Sequence, residues 1–262
     1  MGVLNVTPDS FSDGGRYAAR DAAVAHGDAL FEAGADIVDV GGESTRPGGV
    51  ELDAETEIRR VVPVLEELRR RGPGFLSIDT TKAPVAAAAL DAGADLVNDV
   101  SGFAFDPALA RLVARRGVPV VLMHLRGDFV SMHRDPSYAD VMTEVTAELG
   151  QAVGRAESAG VPRAQVIVDP GIGFSKAAPH SLEVIRRLSE LAVLDQPVLA
   201  GPSRKSFIGR VLDLPVGERL MGTAAAVAAC VLGGAHIVRV HDVAPMTEVV
   251  HMCDAIRGER AA

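Results

Sequence analysis

Short apolar runs recur along this chain, and almost every one ends on a polar residue. Val166 to Lys176, V-I-V-D-P-G-I-G-F-S-K, shows the pattern best. Its first three residues are β-branched and apolar, which reads as a strand buried on both faces. The run stops at Asp169, and Pro170, Gly171 and Gly173 then turn the backbone in a tight loop. A carboxylate is poor core material, because burying an unpaired charge is costly. At the end of a buried strand it is well placed to meet a ligand above the edge of a sheet.

The rest of the chain keeps this rhythm. Met1–Val6 is the first predicted strand, running into N-V-T-P-D-S-F-S-D-G-G, and a helix spans about Ala18 to Ala33, closed by Gly34. Ile37–Val40 is the second, with Asp39 near its end and G-G-E-S-T-R-P-G behind it. Ile58, Val61, Val62, Leu65 and Leu68 form the stripe of an amphipathic helix, which Pro63 should bend. Phe75–Ile78 is the third strand, ending at Asp79, and a helix follows from about Ala83. Asp95–Val97, ending at Asn98 and Asp99, is the fourth. Asp106 then N-caps a helix with Pro107 at its first position. Val120–Met123, ending at His124, is the fifth, followed by a loop from about Leu125 to Pro136 and a helix carrying Val141, Val145, Leu149 and Val153. After the sixth strand, Ser181, Leu182, Ile185 and Leu188 mark a helix. Pro197–Ala200 is the seventh strand, leading into G-P-S-R-K-S-F, and His236–Val240 is the eighth, ending at His241. Between them an alanine-rich helix, about Gly222 to Leu232, is apolar almost all round, as expected of a buried helix or a subunit contact. Val249, Met252, Cys253 and Ile256 mark the last helix.

Eight strands alternating with roughly eight helices predict a (β/α)8 TIM barrel, a single α/β domain over residues 1–262. An open doubly wound sheet is the alternative. The barrel brings every strand's C-terminal end to one rim, where Asn5, Asp39, Asp79, Asn98, His124, Asp169, Lys205 and His241 would share a mouth. A lone aspartate at a strand end is most simply an N-cap or a turn. Several polar residues on one rim reverse that preference, since active sites of this fold lie there.

Composition narrows the partners. The 262 residues are 48% hydrophobic, enough for a large core. No apolar run approaches the ~20 residues of a membrane span, and no basic-plus-apolar leader precedes the first strand. Cys230 and Cys253 lie in helical stretches without metal-ligand spacing, so a reduced, cytoplasmic setting is expected. The net charge is −9 with no basic stripe, which argues against nucleic acid. An acidic protein that binds an anion must concentrate positive charge locally. Lys82, Lys176 and Lys205 are the three lysines, two of them in glycine-containing loops. Arg239 and His241 alternate with apolar Val238 and Val240, so both face the same side of the last strand.

M-G-V-L-N-V-T-P-D-S-F-S-D-G-G, V-D-V-G-G-E-S-T-R-P-G, S-I-D-T, V-N-D-V-S-G, V-D-P-G-I-G-F-S-K, G-P-S-R-K-S-F and V-R-V-H-D-V follow one another along essentially the whole chain. In this order they resemble the signatures of the dihydropteroate synthase family. The resemblance implies a transferase of folate biosynthesis, which condenses dihydropterin pyrophosphate with para-aminobenzoate and releases pyrophosphate, acting as a homodimer. It implies pterin binding by Asp79, Asn98, Met123, Asp169, Lys205 and Arg239, the acids accepting from the ring donors and Lys205 donating to the carbonyl. It implies a diphosphate grip by Asn5, Thr45, Arg239 and His241, with Asn5 helping to hold Mg2+. It implies an aminobenzoate pocket of Phe11, Thr45, Arg46, Pro47, Phe174, Lys205 and Ser206. Mg2+, Arg239 and His241 would stabilise the leaving anion, and Asp79 or Asp9 the cationic carbon. No covalent intermediate is needed.

Among the seven histidines His241 carries this expectation, with His124 a weaker candidate and the others surface or packing residues. G-I-G-F-S-K lacks the glycine spacing and K-[ST] pair of a phosphate-binding P-loop. The sequence departs from the family in two ways. It opens directly at the first strand, which bears on stability more than on chemistry, and Pro202 stands before S-R-K, where it can alter the approach to Lys205. No insertion lengthens the aminobenzoate loops, so sulfonamides are expected to inhibit. Two rivals share the pterin-edge acids: a barrel passing a methyl group from methyltetrahydrofolate to a corrinoid protein, and a pterin-binding paralogue without synthase activity.

Overall fold

Eight parallel strands close on themselves in the computed structural model, which describes residues 1–6, 15–43, 52–72, 74–129, 131–132 and 136–259. Strands β1 (Gly2–Asn5), β2 (Ile37–Gly41), β3 (Phe75–Asp79), β4 (Leu96–Asp99), β5 (Val120–Met123) and β6 (Val166–Asp169) pair in chain order. Strands β7 (Leu199–Ala200) and β8 (Ile237–Val238) pair with each other. Two seams complete the ring. Val168 N donates to Pro197 O at 2.9 Å, and Val168 bridges Val198. Val3 N donates to Val240 O at 3.0 Å, Val240 N to Met1 O at 2.9 Å, and Gly2 bridges Val240. An open sheet has no such last pairing, so the barrel reading holds and the doubly wound alternative falls.

The last two strands are shorter than the apolar runs that predicted them. Pro197 has no N–H to give a ladder. On the facing strand His236 N and Ile237 N both donate to Val198 O, at 2.8 and 3.1 Å, so regular pairing starts late.

Helices α1 (Gly15–Glu32), α2 (Ala54–Arg71), α3 (Ala83–Asp91), α4 (Pro107–Arg116), α5 (Val141–Ser158), α6 (Ala178–Arg186), α7 (Ser206–Leu212), α8 (Leu220–Leu232) and α9 (Val243–Arg257) connect the strands, the β7–β8 crossover carrying two of them. Capping follows the side chains: Asp53, Asp106 and Asp140 accept from Thr56 N, Ala108 N and Thr143 N at 2.8, 2.9 and 2.8 Å. Helix α2 runs through Pro63 without interruption.

Three helix faces differ from the expected stripes. Leu182 is exposed and Leu188 opens a short 3-10 helix after α6. Met252 and Ile256 are exposed, while Val243, Met246 and Cys253 are the buried side of α9. Helix α8 buries Thr223, Ala226, Val227, Cys230 and Val231, but Leu220, Met221 and Leu232 are exposed. No described helix is long and apolar enough to cross a membrane.

The strands' two faces build two cores. Outward residues such as Leu4, Val38, Val40, Leu76, Ile78, Val97, Val120, Leu122, Val166 and Val168 pack under the helices. Inward residues Met1, Ile37, Leu96, Val121, Ile167, Leu199 and Ile237 form a separate apolar plug inside the barrel. Strand side chains alternate with period two. The next inward residues beyond Ile37, Leu96, Val121, Ile167 and Ile237 are therefore Asp39, Asn98, Met123, Asp169 and Arg239. The floor of the site is this change from an apolar to a polar layer.

Candidate active site

Arg239 organises one half of that polar layer. Its Nε donates to Asp39 Oδ2 at 2.6 Å and its Nη2 to Asp79 Oδ2 at 2.8 Å, so one planar guanidinium spans two carboxylates from neighbouring strands. Asn98 Nδ2 donates to the same Asp39 oxygen at 3.0 Å. Asp39 is fully buried, and its Oδ1 has no hydrogen-bond partner among the described residues. Burial pushes the Asp79 carboxyl up to about 7, with Arg239 pulling the other way. Asn5 stands nearby: a Cβ built on Gly41 would lie 3.7 Å from Asp79 Oδ2 and 3.8 Å from Asn5 Oδ1.

Asp169 and Lys205 form the other half. Asp169 Oδ1 accepts from Gly171 N at 2.7 Å, and burial raises its pKa against the pull of Lys205. Lys205 Nζ donates to the Ile172 carbonyl and lies 4.2 Å from the centre of the Phe174 ring. Burial lowers this lysine to about 8. The loop between them needs its glycines. Gly171 has φ +67, with the His124 carbonyl oxygen where a Cβ would go. Gly173 has φ +80, and a Cβ there would meet Lys205 Cδ at 2.8 Å. Met123 closes this side, its Cγ 3.4 Å from the Cβ position of Gly171.

His241 follows the last strand. Its Nδ1 lies 3.0 Å from Ser203 Oγ, which also accepts from His241 N at 3.1 Å. Next door Arg204 pairs with Asp242, and Arg204 N donates to Thr223 Oγ1 at 3.0 Å. Pro202 and Ser203 are buried, while Ser206 is exposed at the start of α7. This tie between the two last loops starts one residue after Pro202.

Three expectations change. Asp39, placed on the rim without a role, sits at the centre of the polar layer. The signal was available: Asp39 lies two residues beyond inward Ile37. His124 does not face the mouth. It is one residue past inward Met123, and its Nε2 lies 3.0 Å from Glu148 Oε2 on α5. Arg126 pairs with the same glutamate and with Glu144, its guanidinium 4.1 Å from the centre of the Tyr138 ring. Lys176, given no task, is buried beside His124.

Asp9, Phe11, Thr45, Arg46 and Pro47 lie outside the described residues. The two described neighbours of the S-T-R-P-G segment are tied together, since Glu43 Oε1 accepts from Leu52 N at 2.9 Å. Lys82 Nζ holds Glu43 Oε2 at 2.6 Å and the fully buried Glu57 at 2.7 Å.

A model of the pterin binding enzyme family matches residues 1–241. The dihydropteroate synthase of Synechocystis sp. is 44% identical over 257 residues, covering 98% of this chain and 89% of that one. The Yersinia pestis dihydropteroate synthase, solved with a sulfonamide drug, superposes with a TM-score of 0.93 at 41% identity, over 98% of this chain and 94% of that one. The Xanthomonas albilineans enzyme, solved with 4-aminobenzoic acid, gives a TM-score of 0.92 at 43% identity, over 98% and 92% of the two chains. Sequence and fold agree over nearly the full length, and the chain belongs to the pterin-binding enzymes, among their dihydropteroate synthases.

Proposed function

We propose that the barrel mouth of this chain, acting as one catalytic domain over residues 1–262, joins dihydropterin pyrophosphate to para-aminobenzoate to give dihydropteroate and pyrophosphate. The observation that carries the reading is the polar inward layer, where Asp169 and Lys205 stand on the same rim as an arginine shared by Asp39 and Asp79. A pterin presents a flat edge of amino and ring N–H donors beside a carbonyl. Asp169 keeps one oxygen beyond its bond to Gly171 N, Lys205 supplies a donor, and Met123 a wall. Asn98 already gives one N–H to Asp39, so its amide is pre-oriented rather than free to choose.

The diphosphate falls to Arg239 and His241, with Thr45 from the S-T-R-P-G segment. Asn5 fits a Mg2+ that keeps several waters and is held chiefly by substrate phosphates, because it offers a single neutral oxygen. When bound, the ion neutralises diphosphate charge. The residues themselves hold the anion so that it departs along a fixed line as the carbon–oxygen bond breaks. Asp79, or Asp9 from the first loop, faces the carbon as positive charge develops. The amine nitrogen of aminobenzoate then forms the new bond and gives up a proton. Phe174, together with Phe11, Thr45, Arg46, Pro47 and Ser206, supplies apolar walls and a polar end for this substrate.

The same reading takes the enzyme to be cytoplasmic and a homodimer. Val211, Leu212, Val216, Leu220 and Met221 are exposed along α7, the following turn and the start of α8, which supports a partner there. Analytical ultracentrifugation tests the dimer. A pyrophosphate-release assay with both substrates and Mg2+ tests the reaction. Release that does not require aminobenzoate would overturn it.

A further inference from the structure

The G-I-G-F-S-K loop ends on a lysine that the reaction above does not use. Lys176 is 5% exposed, and its Nζ lies 2.8 Å from His124 Nδ1 and 3.2 Å from the Phe174 carbonyl oxygen. On the other side of the imidazole, Nε2 lies 3.0 Å from Glu148 Oε2. A carboxylate only accepts, so Nε2 carries the ring hydrogen and Nδ1 accepts from the lysine. Burial pushes His124 down to about 3, which keeps the ring neutral and suited to this role. Arg126 in turn holds Glu148 through Nε at 3.0 Å.

Burying an amine is costly, so the contact it makes needs an explanation. Gly171, Gly173 and Ser175 all have positive φ, at 67°, 80° and 49°. Contacts from outside the loop add to its own bonds. Lys205 holds the Ile172 carbonyl, Tyr138 Oη donates to Ser175 O at 2.9 Å, and Ser175 Oγ donates to Arg126 O at 2.9 Å. Lys176 supplies the side-chain bond to Phe174, the residue whose ring packs under Lys205.

We infer that the Glu148–His124–Lys176 chain positions Phe174, and through it sets the enzyme's affinity for the aromatic amine substrate. The inference rests on the reading that Phe174 lines the aminobenzoate pocket. Lys176 and His124 are positioning residues: His124 lies on the outer face of β5, and Lys176 acts through the Phe174 carbonyl.

Lys176→Met keeps the apolar stem and removes the amine, so His124 Nδ1 and the Phe174 carbonyl both lose their donor. Steady-state kinetics should show the aminobenzoate KM raised about tenfold, the scale of one lost buried hydrogen bond. The KM for dihydropterin pyrophosphate and kcat should change by less than about threefold. His124→Asn, whose amide oxygen can stand in for Nδ1, should remain within about threefold of the parent, while His124→Leu should reproduce Lys176→Met. His124→Leu also carries the test if Lys176→Met does not fold. Phe174→Ala separates the two claims. If it raises the aminobenzoate KM and Lys176→Met does not, the positioning role is overturned and the pocket stands. If Phe174→Ala leaves that KM unchanged, the pocket reading falls and this inference with it. Equal losses for both substrates would make Lys176 a packing residue and overturn the inference.

Discussion

Replacing Arg239 by alanine strips two buried carboxylates of their shared cation. The guanidinium lies 2.6 Å from Asp39 Oδ2 and 2.8 Å from Asp79 Oδ2. Asp39 is fully buried, and the Asp79 side chain is 12% exposed. Removing one member of a buried pair costs about 3–5 kcal/mol, because the other charge is left uncompensated. That cost has a ceiling, since a stranded carboxylate takes up a proton instead. Burial already pushes Asp79 up to about 7 while Arg239 pulls it down, so in the variant it rises further.

The sign of the pH dependence follows from linkage. A carboxyl whose folded pKa exceeds the unfolded value of about 3.9 binds more protons in the folded state between those two values. Stability therefore falls as pH rises through that window, and the penalty is complete above the folded pKa. Each carboxyl contributes at most about 1.4 kcal/mol per pH unit. The parent shares part of this slope through Asp79, so only the excess distinguishes the variant. The expected result is a loss of about 3–5 kcal/mol at pH 8 that shrinks by roughly 1–3 kcal/mol at pH 5.5. Urea unfolding at both pH values, with slopes checked for equality, measures it. A loss below about 1 kcal/mol at pH 8, or one that does not change with pH, would refute the claim that Arg239 offsets the buried charge at this site.

Three further outcomes follow from the same site. Asp169→Asn should weaken pterin binding at least about tenfold while leaving the fold intact, because the amide turns an N–H toward ligand donors. Near-normal affinity by calorimetry would reject the pterin assignment. Inorganic pyrophosphate should bind the free protein more tightly with Mg2+ than without, and Arg239→Ala should weaken it strongly. Undiminished binding to that variant would put the anion site elsewhere. Sulfonamides, which carry an aniline like aminobenzoate, should inhibit competitively against it. Full activity at concentrations well above the aminobenzoate KM would refute this and implicate buried Pro202, which adjoins Ser203 and its tie to His241.

Much of this molecule is legible along the chain. Short, mostly apolar runs located all eight strands, because a strand buried on both faces has little room for polar residues until it ends. Asp106 and Pro107 marked the start of α4, since capping is a local contact between a side chain and the next turn. The period of two carried site information as well: counting from inward Ile37, Ile167 and Ile237 lands on Asp39, Asp169 and Arg239. The same count assigns His124, next to inward Met123, to the outer face.

What lay beyond the sequence is which of these side chains meet. Arg239 is 200 residues from Asp39 and 160 from Asp79, and nothing local to any of them reports the closure that joins β8 to β1. Lys176 reads as a loop cation until Glu148, from a helix two elements earlier, orients the imidazole that receives it. Met252 and Ile256 look like core from their spacing, yet α9 buries the side that carries Met246 and Cys253. Local sequence governs where strands and helices begin and end, because those energies act over a few residues. Pairings of buried charges are decided by barrel closure, which brings distant strand ends within hydrogen-bonding range and leaves each charge with only those partners to offset its lost water.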